Sequence, residues 1–187
     1  MKWAWPRLTN SLPSGLSPLS KAFAVRLGLM LEADLIDYRY FIPWCDDVIL
    51  RKDTPPDWIL ELATEEFQPD AISIVCTYAY SEPFIEFLGT TEFYVACLFL
   101  KYRIGQISWA TFLGKAGSYT DAYQDSVDCS YFFCMLNDIE ATESDRNLAG
   151  VQVEDVVSHF AHAIDEAKVV YNFFLHYFRQ NKNAKAE

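Results

Sequence analysis

The chain has 187 residues, of which 51% are hydrophobic, 16% aromatic and 22% charged, and its 26 acidic against 15 basic side chains give a net charge of −11 at neutral pH. That length points to one domain, and the apolar content excludes intrinsic disorder. The surplus of negative charge argues against DNA or RNA as a partner, because phosphate contacts need a basic face that releases counterions.

The segment Met1 to Ser20 carries Lys2 and Arg7 but is interrupted by Trp3, Trp5, Pro6, Pro13 and Pro18. It lacks the apolar core of a secretory signal and is expected to form an irregular arm over residues 1–16. Ser17 or Ser20 is positioned to cap a first helix through about Leu31, with Phe23, Leu27, Met30 and Leu31 at three- and four-residue spacing. Asp37 is a cap for a second helix carrying Phe41, Trp44, Cys45, Val48 and Ile49, although Pro43 offers a later start. In Thr54-Pro55-Pro56-Asp57 the Thr54 hydroxyl stands at an N-cap, prolines occupy the first turn and an acid faces the positive helix end. Pro69-Asp70 opens the run AISIVCTYAY, which alternates too little for a strand and reads as a buried helix.

Ser81-Glu82-Pro83 starts a turn or short helix through Leu88. Thr90 or Thr91 then caps a helix that ends before Gly105. Ser108 caps a brief helix closed by Gly114 and Gly117, and Ser118 or Thr120 starts the helix that carries Cys129, Phe132, Phe133 and Leu136. Glu140 to Gly150 is a long polar stretch expected to be a loop. From Val153 to about Gln180 the residues Val156, Val157, Phe160, Ile164, Ala167, Val170, Phe174 and Phe178 recur at helical steps, predicting one long final helix with a frayed tail over 181–187. The expected fold is therefore all-α: a single domain spanning 1–187, an irregular bundle of seven or eight helices braced by a long C-terminal helix.

A membrane-spanning helix needs about 20 apolar residues in succession. The uncharged stretch Ala71 to Ser81 is shorter and contains Ser73, Thr77, Tyr78 and Tyr80. Five cysteines (Cys45, Cys76, Cys97, Cys129 and Cys134) form no CxxC pair, and an odd, scattered set suits core thiols in a reducing cytosol. A soluble cytoplasmic protein, without a membrane or nucleic-acid partner, is the expectation.

Charge is uneven. Asp46 to Glu92 holds 11 acids and two bases, and Asp121 to Glu166 holds 11 acids and one base, whereas residues 1–45 are net positive. Such runs serve either as solvated helix faces or as an acidic surface that steers a basic protein partner. On the second reading the contacts are Asp46, Asp47, Asp53, Asp57, Glu61, Glu65 and Glu66, with Trp44 or Trp58 as anchors.

All three histidines lie near the C-terminus. Asp155, His159, His162 and Glu166 are spaced by four, three and four residues, which on one continuous helix would put two imidazoles and two carboxylates on one face as ligands for zinc or a non-haem metal. Neither HExxH nor the ExxH pair of di-iron bundles occurs, and GxSxG, a P-loop and GxGxxG are absent, so no catalytic residue and no cofactor is assigned. A third reading makes the aromatic C-terminal helix, through Tyr171, Phe174 and Phe178, the seam of a homo-oligomer.

Residues 27–63 include Gly28, Trp44, Asp46, Asp53, Pro55, Pro56, Glu61, Leu62 and Ala63, in the order apolar helix, Trp-x-Asp helix, acidic linker, Pro-Pro and Leu-Ala helix. The pattern resembles small all-helical bacterial proteins of uncharacterised families, some of which sit with toxin–immunity systems. The resemblance covers about a fifth of the chain. It implies a bacterial cytosolic helical protein and hints at inhibition of a toxin, so a non-catalytic acidic protein-binding module of immunity type is the leading expectation. The metal-binding helix and the homo-oligomer are the alternatives.

Overall fold

The computed structural model describes residues 16–123, 127–142 and 146–184. Among them the fold is all-α, with nine helices and no strand. No helix among the described residues is long and apolar enough to cross a membrane. The expected arm at 1–16 lies outside the described residues except for Leu16. The tail remains helical to Ala184, with residues 185–187 outside the description.

The chain divides into two compact units, one formed by residues up to Ile85 together with Lys168 onward, the other by Glu86–Ala167. In the first unit, α1 (Lys21–Glu32) starts where the Ser20 hydroxyl accepts the Phe23 N–H at 3.2 Å, so Ser20 rather than Ser17 is the cap. Phe23, Ala24, Val25 and Leu27 through Leu31 are all buried, as expected of a helix that is apolar nearly all round. It ends in a Schellman motif. Asp34 takes the left-handed conformation at φ +52°, its N–H reaches Leu31 O at 2.9 Å and the Leu35 N–H reaches Met30 O at 2.9 Å. Gln68 Nε2, at the start of α4, then donates to Leu31 O at 2.6 Å and to Asp34 Oδ1 at 2.9 Å, pinning α4 to the end of α1.

Helix α2 (Tyr38–Arg51) begins at the Asp37 cap, whose carboxylate accepts the Arg39 N–H at 3.0 Å. Pro43 is carried inside this helix and does not start it. With the cap already satisfied, its missing N–H forfeits one interior bond. Helix α3 (Asp57–Leu62) opens on Pro56, not Thr54: each proline disfavours the helical conformation in the residue before it, Thr54 and Pro55, and Pro56 is itself extended at ψ 142°. Helix α4 (Gln68–Ala79) follows the Pro69-Asp70 signal and is half-buried, through Ala71, Val75 and Ala79. Segment 81–88 is not helical.

An aromatic cluster fills the core of this unit. Phe23 lies 5.4 Å from Trp44 and 5.5 Å from Phe174, and Trp44 meets Phe174 edge-on at 5.5 Å. Trp58 stacks on Tyr78 at 4.6 Å, and Tyr40 on Phe178 at 4.3 Å. Of the three rings of the expected seam, Tyr171 and Phe174 are buried within this packing, and Phe178 is half-buried against Tyr40.

In the second unit, α5 (Thr90–Arg103) takes Gly89 as its N-cap at φ +68°, in place of Thr90 or Thr91, and is buried from Val95 to Lys101. Helix α6 (Trp109–Tyr123) starts at Ser108, whose hydroxyl accepts the Thr111 N–H at 3.1 Å. Gly114 and Gly117 lie inside α6 and do not close it. A Cβ on Gly117 would fall 2.8 Å from Phe133 Cε1, so the glycine permits close approach of α7 (Ser130–Ala141), and no helix starts at Ser118 or Thr120.

The expected polar loop over 140–150 is largely helical at both ends, since α7 runs to Ala141 and α8 (Arg146–His159) begins well before Val153. Buried Gln152 and Val156, four residues apart, give α8 the inward face that its polar composition hides. The single final helix is divided at Phe160, after which α9 (Ala161–Ala184) begins. Phe160 stays bonded on both sides (its N–H to Val156 O, its O to the Ile164 N–H) while its buried ring stacks on Phe132 at 5.8 Å.

Candidate functional site

The acidic stretch of α2–α4 lies entirely in the first unit, and the structure sorts its acids into two kinds. Asp47 is engaged: it pairs with Arg51 one turn later at 2.9 Å, and its Oδ2 accepts the Tyr177 hydroxyl at 3.1 Å. Glu65 is half-buried and accepts the Phe67 N–H at 2.7 Å. Asp46, Asp53, Asp57, Glu61 and Glu66 are exposed, and none of them enters an ion pair among the described residues.

Trp44 and Trp58 do not stand on this surface. Trp44 is 1% exposed and Trp58 6%, both held in the aromatic core, which corrects their placement as partner anchors. The apolar side chains actually set among the exposed acids are Leu50 (86% exposed), Leu60 (43%) and Phe67 (62%). Leu50 follows Asp46 by four residues on α2 and Leu60 follows Asp57 by three on α3, so each shares a helix face with an acid. The sequence signal for these residues was an apolar residue out of phase with the buried stripe.

Tyr177, unassigned from sequence, has its phenol pushed up to about 12 by burial first and then by the charge of Asp47 and the bond to it. Burial and the bond to Asp155 raise Tyr131 in the same way. A phenol whose folded pKa exceeds its ordinary value of 10.0 stabilises the fold fully below that value, and the contribution is lost as pH rises through the folded pKa. Stability to urea is therefore expected to fall between about pH 10 and about pH 12, and Tyr177→Phe should flatten that fall in part. An unchanged alkaline slope in the variant would remove Tyr177 from this role.

The four proposed metal ligands are not gathered. His159 is the last residue of α8 and His162 the second of α9, and although helical bonds carry through Phe160 between them, the four side chains do not converge. Asp155 instead accepts the Tyr131 hydroxyl at 2.8 Å, and the His159 ring lies against Tyr131 at 5.1 Å. His159 and His162 are exposed and Glu166 is half-buried. Among the described residues, no three His, Cys, Asp or Glu side chains form a group that could hold a metal ion. Of the cysteines, Cys45 and Cys97 are buried, and burial pushes the Cys45 thiol far above its ordinary value, away from nucleophilic use. No family model, curated protein or solved structure matches the chain.

Proposed function

We propose that this chain is a non-catalytic protein-binding module that docks a basic protein on the acidic surface of α2–α4, in the manner of an immunity-type inhibitor. The observation that carries the reading is the combination of five exposed, unengaged acids with exposed Leu50, Leu60 and Phe67 on the same short stretch. The charge steers a basic partner and sets orientation, while the apolar side chains supply the desolvated contact that charge alone does not provide. No Lys, Arg or His occurs between Lys52 and Lys101, so nothing in that span opposes the field of its acids.

The test is capture from native lysate at low salt on wild-type protein and on an Asp46→Lys, Asp57→Lys, Glu61→Lys variant. The expected outcome is one basic protein retained by the wild type, released by salt and lost from the variant, with the partner's own activity falling when wild-type protein is added. Retention that ignores both salt and charge reversal would overturn the reading.

A further inference from the structure

The segment that follows α4 exposes a second apolar group. Tyr80 is 53% exposed, Phe84 77% and Ile85 51%. Contiguous large apolar side chains left in water on an ordered backbone mark an interaction site more often than chance. This backbone is tied down: Lys21 Nζ donates to the carbonyls of Ser81 and Pro83, the latter at 2.9 Å, and Ser81 Oγ donates to Tyr78 O at 2.8 Å. Tyr78 is itself fixed through its hydroxyl to Leu19 O at 2.7 Å. The lysine is thus directed at main-chain oxygens, and the exposed acids beside Phe84 and Ile85 are Glu82 and Glu86.

We propose that Phe84 and Ile85, presented by the Lys21-fastened segment, form an apolar anchor for a basic amphipathic helix of a partner protein. Charge selects this occupant. Exposed Glu82 and Glu86 bracket Phe84 and Ile85 in the chain, so apolar faces rimmed with Lys or Arg are favoured. A second copy of this chain, at −11, and an anionic membrane surface are both repelled. The inference rests on the reading of the partner as a basic protein, and it adds a contact distinct from the α2–α3 acids.

The experiment follows amide chemical shifts of the labelled full chain as a synthetic Leu/Lys amphipathic helical peptide is added, with a Leu/Glu peptide of the same pattern as control. Saturable shifts at residues 81–85 are expected with the Leu/Lys peptide alone. Phe84→Ser with Ile85→Ser should weaken that binding about tenfold or more, whereas Phe84→Leu should retain it. Shifts confined to residues 46–66 and unmoved by the serine variant would overturn the anchor while leaving the acidic-surface reading standing. No saturable shift anywhere would overturn both. Equal binding of the Leu/Glu peptide, partition onto zwitterionic vesicles, or self-association abolished by the serine variant would each overturn the assignment of a basic occupant.

Discussion

Trp44→Ala is expected to destabilise the protein by about 3–5 kcal/mol, the usual cost of deleting a large aromatic from a packed core. The indole is 1% exposed and meets Phe23 at 5.4 Å, Trp58 at 5.9 Å, Phe173 at 6.3 Å and Phe174 at 5.5 Å, so no neighbour can close the void without giving up its own contacts. Urea denaturation followed by far-UV circular dichroism measures the effect. The outcome bears on function, because Trp44 sits two residues before Asp46 and in sequence looks like a hot-spot anchor. With a core role, Trp44→Ala lowers the denaturation midpoint, and Trp44→Phe recovers most of the loss while leaving partner binding intact at low temperature. A variant as stable as wild type but unable to bind would place Trp44 on the contact surface and contradict its burial.

The same residue shows where sequence reasoning stops. Local chemistry carries the helix starts at Ser20, Asp37 and Ser108, since a side chain and an N–H three or fewer residues away decide each cap. Helical spacing of apolar residues carries the all-α class for the same reason. Whether a tryptophan is core or anchor depends on residues such as Phe173 and Phe174, which are remote in the chain and leave no local trace. In the metal-ligand pattern of Asp155, His159, His162 and Glu166, the Asp155 carboxylate is instead engaged by Tyr131 of α7, a partner remote in the chain that spacing does not reveal. Leu50, Phe67 and Phe84 are visible as apolar letters, yet that they stand in water is read only from the fold.

Gln152→Leu should cost about 2–4 kcal/mol despite replacing a polar residue with an apolar one of similar size in the interior. Gln152 is 5% exposed and serves two helices at once. Its Oε1 accepts the Trp109 indole N–H from α6 at 2.8 Å, and its Nε2 donates to Met135 O on α7 at 2.9 Å. Leucine offers neither atom, so the Trp109 N–H, on a side chain only 7% exposed, is left without an acceptor in a low-dielectric setting, and that desolvation penalty outweighs the gain from a more apolar side chain. The Trp109→Phe, Gln152→Leu double variant separates the two effects. Removing the indole N–H removes the orphan, so the double variant should be more stable than the sum of the single losses predicts, by about 1 kcal/mol or more in a double-mutant cycle by urea denaturation. Strict additivity would mean that the two groups do not depend on each other, and the cost of Gln152→Leu would then belong to its packing and to the Met135 carbonyl. Coupling of the expected sign would show that the Trp109–Gln152 bond itself holds α8 (Arg146–His159) against α6, a contact that the polar letters of this segment do not announce.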